Sequence, residues 1–287
     1  VVVVDEIGDA SKIASAAARF SRDPRDLLMA EYCAKVIEAT PYFKQGFSFQ
    51  TGAGGPSLAA NRYLEPILRK HNITMSWICG GISAPAVDLL NKGLCECIVD
   101  TQDFDTVGVA SVHTNPKHFE ISTSQYASPS NKSAFVNKLD YVILAALEID
   151  VDFNVNVITG SDGVLRGAPG GHPDTAAGAK CCIIVTPLLR GRMATVCDSV
   201  VTVTTPGECV DILVTDYGIA VNPKRPDLLE ALQKTKLPLT TIEELRDIAY
   251  SIVGAPDPLP FKDRVVAILE ARDGTILDVV REIEPLK

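Results

Sequence analysis

The sequence predicts an α/β protein with an open, mainly parallel sheet that carries helices on both faces. Two consecutive segments, 46–71 and 73–93, each follow the order strand, glycine-containing turn, helix, which is typical of parallel sheets. Two later runs, 140–150 and 179–187, are almost continuously apolar, as strands covered on both faces require. Alternating strands and helices together with fully apolar strands indicate this fold class.

The elements that flank this domain are predicted from helix caps and turns. Before the first sheet strand we expect helices over 9–20, with Asp9 as cap, and over 24–39, with Pro24 in the first turn. The chain starts with VVVVDEIGD and has no initiator methionine, which suggests one part of a longer chain. We therefore expect an N-terminal strand and connecting helices over 1–45 and an α/β domain over 46–287.

The remaining elements follow from the same rules. Thr241 and Glu244 form a capping box, and Asp273-Gly274 between alternating apolar residues predicts a C-terminal hairpin over 264–283. Further strands are predicted over 95–101, 107–112, 140–150, 179–187, 195–203 and 210–221, and further helices over 131–139, 225–235 and 241–253. Within 210–221, a strand is expected to end at Thr215-Asp216 and a short apolar return to follow.

Composition excludes several classes of function. A formal net charge of −9 argues against a nucleic-acid surface, and apolar runs such as 181–185 are too short to cross a bilayer. Without a signal peptide, the expected location is the cytoplasm. The eight cysteines lack zinc-finger spacing and are expected to be buried free thiols. We expect polar or surface roles for His71, His113 and His118, and no metal site.

Three glycine-containing turns follow predicted strands. They contain Gly52 to Gly55, Gly80-Gly81, and the stretch from Arg166 to Asp174, RGAPGGHPD. Glycine lets another molecule approach the main chain closely, and amides at the start of a helix can hold an anion. Because parallel strands end at one edge of a sheet, the turns are expected to share one crevice. A set of purely structural turns is the alternative, and the spacing at 52–55 does not match a dinucleotide-binding loop.

Two side-chain interpretations of the third turn remain open. His172 could act as a general base oriented by Asp174, or Asp174 could cap the helical turn that follows. Glu208 and Asp216 also follow apolar segments, where hydrogen bonding to loop amides is the commoner role.

With these motifs in view, the sequence resembles the citrate lyase alpha-subunit family of the coenzyme A transferase superfamily. The resemblance covers nearly the whole chain and rests on four motifs in order: FSFQTGAGGPSLAAN, WICGGISAP, RGAPGGHPDTAAGAK and VTDYGIAVNP. Members of the family carry two related transferase domains, and this chain resembles the second. The resemblance implies a coenzyme A transferase-like fold and exchange of acetyl for citryl on a coenzyme A-like thiol.

The resemblance also implies site residues and partners. Many coenzyme A transferases have a glutamate nucleophile where this chain has Ile78 to Gly81, so direct attack by the citrate carboxylate is expected, with no glutamyl intermediate. Citrate, acetate, an acyl carrier protein, a lyase beta subunit and an oligomeric assembly are the implied partners; coenzyme A or its carrier-bound equivalent is the implied cofactor, without metal. The implied catalytic residues are Gly54, Gly55, Gly170, Gly171, His172 and Asp174. The implied cofactor-binding residues are Gly52, Ala53, Gly80, Gly81 and Gly167.

Cations are expected to bind the citrate trianion. Arg166 is the first candidate, and Arg190 and Arg192 follow. Two alternatives stay open: an ordinary transferase with a carboxylate nucleophile such as Glu208 or Glu148, and a non-catalytic half-domain. Cys79 is a conceivable nucleophile, although its apolar setting predicts an inert thiol.

Overall fold

A nine-stranded sheet forms the centre of the protein in the computed structural model, which describes residues 3–4, 21–52 and 54–284. The strands of the protein are β1 (Ser48–Thr51), β2 (Met75–Ile82), β3 (Cys95–Asp103), β4 (His118–Glu120), β5 (Tyr141–Ala145), β6 (Glu148–Asp150), β7 (Val155–Asn156), β8 (Cys181–Val185), β9 (Leu189–Arg190), β10 (Met193–Ala194), β11 (Val196–Cys197), β12 (Ile212–Val214), β13 (Ile219–Val221), β14 (Leu239–Thr240), β15 (Phe261–Glu270) and β16 (Ile276–Ile283). The large sheet has the order β14-β13-β12-β8-β5-β1-β2-β3-β4. Its neighbouring strands are parallel except for β12 and β13, which confirms the predicted fold class.

Eight helices accompany these strands in the described part of the chain. They are α1 (Pro24–Ala39), α2 (Gly55–His71), α3 (Ala84–Asn91), α4 (Thr106–Thr114), α5 (Thr123–Ala127), α6 (His172–Gly178), α7 (Pro226–Gln233) and α8 (Ile242–Val253). α1 begins at Pro24, as predicted, and α8 has the predicted capping box between Thr241 and Glu244. The helix expected over 9–20 lies outside the described residues. No helix in the described ranges is both long enough and apolar enough to cross a membrane.

Both faces of the central strands are buried. Along β5, Tyr141 and Ile143 face a core formed with α1, α2, α3 and α7, whereas Val142 and Leu144 face a second core that includes residues of α6 and α8. Successive side chains of a strand point to opposite faces, so an apolar residue is needed at every position. This arrangement explains why the central strands contain uninterrupted apolar runs.

Smaller sheets surround the large one. β6, β7 and β11 form a three-stranded sheet, and β9 and β10 form a two-stranded ribbon. β15 and β16 form the predicted C-terminal hairpin, whose turn contains Gly274 at a φ of +88°. The positive φ explains the glycine at this position.

Four expectations about elements were wrong. The segment 107–112 is helical, because the Asp105 carboxylate accepts hydrogen bonds from the amides of Val107 and Gly108 at the start of α4. The run 140–150 is divided into β5 and β6, which belong to different sheets. Only a short 3₁₀ turn, Phe135–Lys138, forms within 131–139. The run 195–203 supplies β11 to the small sheet instead of continuing the large one.

The order of strands reverses between β1 and β5. From β1 the chain proceeds outward through β2, β3 and β4, and it then returns to add β5 on the other side of β1. In open α/β sheets, ligands bind outside the carboxyl ends of the strands at such a reversal point. This edge is therefore where a functional cleft is expected.

Candidate active site

A cleft of about 530 Å³ lies at the reversal point. Its wall is formed by the carboxyl ends of β1, β2, β3 and β5, by α5, by the loop before α6 and by β9. The residues that line it are Gln50, Thr51, Gly52, Gly81, Thr101, Gln102, Phe104, Tyr126, Leu144, Ala145, Ala146, Leu147, Val157, Ala168, Pro169, Gly170, Gly171, His172 and Arg190. Parts of all three glycine turns thus reach one cleft.

The first turn reaches the cleft only through Gly52. Its amide donates to the carbonyl oxygen of Ile143 at 2.7 Å, so that amide is already used within the sheet. Gly54 caps α2 without a side-chain hydrogen bond, and Gly55 is the first residue of this helix; neither lines the cleft. The buried Ser57 hydroxyl has no hydrogen-bond partner in the described structure. Ala53 lies outside the described residues.

The second turn shapes the cleft by leaving room for side chains. Gly80 has a φ of +100°, and a Cβ there would lie 2.9 Å from Cδ of Gln50. A Cβ on Gly81 would lie 1.9 Å from a ring carbon of Phe104. Gly81 lines the cleft and Gly80 lies behind Gln50. Both glycines are required by the close approach of these two cleft residues.

Gln50 holds a fixed position on the cleft wall. Its Oε1 accepts a hydrogen bond from Sγ of Cys79 at 3.2 Å, and its Nε2 donates to the hydroxyl of Tyr126 at 2.7 Å. Burial raises the pKa of Tyr126 well above its usual value, so the phenol stays neutral and keeps its proton. Tyr126 therefore offers the cleft a hydrogen-bond donor.

The third turn contributes main chain to the cleft at Ala168 to Gly171. Gly170 has a φ of +53°, and a Cβ on Gly171 would lie 3.1 Å from the ring of Tyr126. Gly167 lines a separate cavity beside the C-terminal hairpin. The turn is therefore divided between two surfaces.

His172 is held by two hydrogen bonds. Its Nε2 lies 2.9 Å from the carbonyl oxygen of Ala145, and its Nδ1 lies 2.8 Å from Oγ1 of Thr205. A carbonyl only accepts, so Nε2 carries the proton and Nδ1 accepts from the threonine hydroxyl. Burial lowers the pKa of His172 to about 4. Both ring nitrogens are occupied, and the imidazole is neutral near pH 7.

Asp174 does not pair with His172. Its carboxylate lies 3.5 Å from Nε of Arg272 in the C-terminal hairpin, and it does not line the cleft. Burial raises the pKa of Asp174, and the Arg272 charge opposes that change. Gly171, not Asp174, is the cap residue of α6. The arrangement favours neither of the two interpretations offered for Asp174.

Arg190 is the cationic residue among the described residues that line the cleft. Its Nη2 donates to the carbonyl oxygen of Ala146 at 2.9 Å, and burial followed by the charge of Arg166 lowers its pKa. Arg166 is exposed, does not line the cleft and pairs with Asp162. Arg192 lines a different cavity. Of the three arginines, Arg190 thus lines the cleft and the other two do not.

No carboxylate or thiol is among the described residues that line the cleft. Glu148 is buried and accepts from Ser161 and from Asn156, and Glu208 is exposed and lines other cavities. Cys79 lies behind Gln50, where burial raises its pKa and leaves a protonated, unreactive thiol. The two alternative carboxylates thus lack access to the cleft in this structure.

Comparison with known proteins assigns the family. The family profile described as "Citrate lyase, alpha subunit (CitF)" matches residues 1–283. The chain belongs to the citrate lyase alpha-subunit family. Citrate lyase alpha chains of Haemophilus influenzae and Klebsiella pneumoniae are each 54% identical over 284 residues, which is 99% of this chain but 57% and 56% of those proteins. The chain thus spans little more than half the length of these citrate lyase relatives.

Solved structures agree with the citrate lyase assignment. A Streptococcus mutans structure described as the alpha subunit of citrate lyase in complex with citrate is 51% identical, with a TM-score of 0.95 over 98% of this chain and 55% of that one. A 4-hydroxybutyrate CoA-transferase from Porphyromonas gingivalis is 18% identical, with a TM-score of 0.52 over 81% of this chain and 56% of the other. This second likeness shows a shared coenzyme A transferase-like fold.

Several cleft residues of this citrate lyase family member were missed by sequence reasoning. Gln50 had a usable signal, because it is a polar residue near the end of a predicted strand, two positions before Gly52. No sequence signal pointed to Tyr126, since it contacts Gln50 from 76 positions away in the sequence. Thr101 and Gln102 lie near the end of β3, and Phe104 follows it. This strand was predicted over 95–101, but no glycine turn drew attention to its end.

Proposed function

We propose that this chain provides the citrate:acyl-carrier-protein transferase site of a citrate lyase alpha subunit. The site exchanges acetyl for citryl on a coenzyme A-like thiol carried by an acyl carrier protein. Family membership supports the reaction class, and a cleft at the strand reversal point supports the location.

The observation that carries the mechanism is the absence of a carboxylate or thiol among the described cleft residues. Without a side-chain nucleophile, a citrate carboxylate oxygen attacks the acetyl thioester carbon directly. The thiolate leaves and an acetic-citric anhydride forms. The thiolate then attacks the citryl carbonyl carbon, and acetate leaves with the electron pair of the broken C–O bond. Each step forms one bond and breaks one bond, and no oxidant or reductant is needed.

Arg190 is the group we assign to bind a citrate carboxylate, because it is the arginine that lines the cleft. Guanidinium and carboxylate groups form strong charge-assisted hydrogen bonds. The Tyr126 hydroxyl, which lines the cleft, is the donor that we assign to the oxyanion that develops on the thioester. One such donor contributes about 3–4 kcal/mol, and holding both reactants in attack geometry contributes about 7–11 kcal/mol.

The glycine residues are assigned to the acyl carrier arm and to main-chain contacts. Four glycines line the cleft and place no side chain in it: Gly52, Gly81, Gly170 and Gly171. His172 is a positioning residue in this proposal, because its two hydrogen bonds join the end of β5 to Thr205. Citrate, acetate, the acyl carrier protein and a lyase beta subunit are the proposed partners in an oligomeric complex. Eight free thiols support a reducing compartment such as the cytoplasm.

A trapping experiment tests direct attack. The chain is combined with the part of the Haemophilus influenzae relative that it does not cover, and acetyl acyl carrier protein and citrate are added. Hydroxylamine or borohydride is then used during turnover, followed by mass spectrometry of the peptides. We expect citryl transfer with no modified glutamate or aspartate. A hydroxamate at any carboxylate of this chain refutes direct attack.

Two variants separate the transferase proposal from its alternatives. Arg190→Ala is expected to raise the KM for citrate, and Arg192→Ala, which changes a cation outside the cleft, serves as the matched control. If the combined protein shows no citryl transfer and citrate does not raise its Tm, the chain is a non-catalytic domain. Equal effects of the two substitutions would contradict the assignment of Arg190.

A further inference from the structure

Two carboxylates and an imidazole converge beside the cleft. Asp100 and Asp103 lie near the end of β3, and His118 begins the neighbouring strand β4. One ligand-type atom from each of the three residues lies within 4.8 Å of the other two, and His118 Nε2 is 3.4 Å from Oδ2 of Asp100. None of the three residues lines the cleft, so the cluster is independent of the transferase proposal.

Two of the buried atoms in this cluster have no hydrogen-bond partner in the described part of the chain. The His118 side chain is fully buried and the Asp100 side chain is 4% exposed. Neither His118 Nε2 nor Asp103 Oδ1 has a hydrogen-bond partner within the described ranges. Asp100 Oδ1 accepts from the Gln102 amide at 2.7 Å, which leaves its second oxygen for the cluster. Unpaired buried polar atoms are costly, so the cluster requires a counter-ion or a proton.

The second nitrogen of His118 is fixed in a way that suits metal binding. Nδ1 lies 2.9 Å from the hydroxyl oxygen of Ser111 in α4. When Nδ1 donates to that oxygen, the lone pair of Nε2 points toward the carboxylates. Metal-binding histidines commonly use their other nitrogen in this way. Asp103 is half-buried, so part of this residue is in contact with solvent.

We propose that Asp100, Asp103 and His118 bind a divalent transition-metal ion, Mn²⁺ or Zn²⁺. Carboxylate oxygens suit Mn²⁺ and imidazole nitrogen suits Zn²⁺, so a mixed set favours these ions over Mg²⁺. Three protein ligands leave the remaining coordination positions to water. Thr101 and Gln102 lie between the two carboxylates in the chain and line the cleft. The ion therefore braces the strand end that forms part of the cleft wall.

This inference differs from the expectation of no metal site, which considered only the spacing of histidines and cysteines along the chain. The ligands come from β3 and β4, whose parallel pairing brings Asp100 and His118 together. A shared proton is the competing account. Burial and the adjacent Asp100 carboxylate raise the pKa of Asp103 to about 7, so a metal-free cluster can hold a proton at neutral pH.

The test uses tag-free protein that has been treated with EDTA and dialysed. MnCl₂, ZnCl₂ and MgCl₂ are titrated separately at pH 7.5, with binding followed by calorimetry, by electron paramagnetic resonance for Mn²⁺ and by the shift in Tm. We expect saturable binding of one Mn²⁺ or Zn²⁺ per chain and a higher Tm. Asp103→Asn and His118→Ala should each weaken binding by more than about 100-fold, since even outer-shell partners contribute about 10- to 100-fold.

His113→Ala is the matched control, because His113 is exposed on α4 and its loss should leave binding unchanged. Ser111→Ala should weaken binding by about 10- to 100-fold without removing a ligand. Binding that is unaffected by Asp103→Asn overturns the site. No response to either ion, together with a higher Tm for Asp103→Asn, assigns the cluster to a shared proton. A clear preference for Mg²⁺ overturns the choice of metal.

Discussion

Substituting His172 with glutamine should change how the stability of the protein depends on pH. The neutral imidazole is bound between Ala145 and Thr205, and burial lowers its pKa from 6.5 to about 4. Below pH 6.5 the unfolded chain takes up a proton at this residue and the folded chain does not. The contribution of His172 to the free energy of unfolding is therefore fully present above pH 6.5. It decreases as the pH falls from 6.5 to 4.

The size of the effect follows from the pKa difference. Each unit by which folding lowers the pKa corresponds to about 1.4 kcal/mol of unfolding free energy. The difference between 6.5 and about 4 therefore corresponds to about 3 kcal/mol at most. Because the residue is only partly covered, we expect about 2–3 kcal/mol. Glutamine does not titrate, yet it can donate to Ala145 and accept from Thr205. His172→Gln should cost about 1 kcal/mol at pH 7.5, as one imperfect hydrogen bond would.

Urea denaturation at pH 7.5, 6.5, 5.5 and 4.5 measures this contribution. The difference in unfolding free energy between the unsubstituted protein and His172→Gln should shrink or reverse as the pH falls. The other titrating groups are the same in both proteins, so their contributions cancel in this difference. His113→Gln, at an exposed position on α4, should follow the unsubstituted protein at every pH. If the unfolding free energies of the unsubstituted protein and of His172→Gln fall equally with decreasing pH, the pKa argument for His172 is refuted.

Three further predictions concern the cleft and one helix. Arg190→Ala should raise the KM for citrate about 10- to 100-fold in a transferase assay, because a charged hydrogen bond contributes about 1.5–3 kcal/mol, and Arg190→Lys should recover part of the loss. Gly81→Ala should reduce turnover and lower the Tm, since its Cβ would overlap the Phe104 ring; Gly167→Ala, with nothing within 4 Å, should leave both unchanged. Thr241→Ala should lower stability by about 1 kcal/mol in a denaturation experiment, because it removes the cap of α8.

The central sheet was predictable because its pattern is local. β5 and β8 are short, uninterrupted apolar runs, and burial on both faces is the simplest interpretation of such runs. β1 and β2 were instead indicated by the glycine turns and helices that follow them. The segment 107–112 was not predictable from alternation, since the Asp105 cap determined the helix. The prediction for 195–203 was wrong for another reason. This segment belongs to a small sheet with the short strands β6 and β7, and sequence periodicity does not reveal which strands pair.

The location of the candidate site could be predicted from the sequence, but the side chains that line it could not. Turns at the ends of parallel strands had to meet at one edge, so Gly52, Gly81 and Gly170 were within reach of sequence reasoning. The choice between Arg166 and Arg190 depends on a pairing of Arg166 with Asp162, which requires coordinates. Tyr126 belongs to the same category, because its contact with Gln50 depends on how α5 packs.

The position of β1 has a mechanical consequence. This four-residue strand is buried along its whole length and lies between β5 and β2, so its amides are expected to be among the slowest to exchange hydrogen with solvent. The exposed main chain around Gly170 has no such restraint. For the acyl transfer that we propose, the cleft therefore has a buried strand end on one wall and an exposed glycine turn on another, so an acyl chain can enter past the turn without displacing the strand.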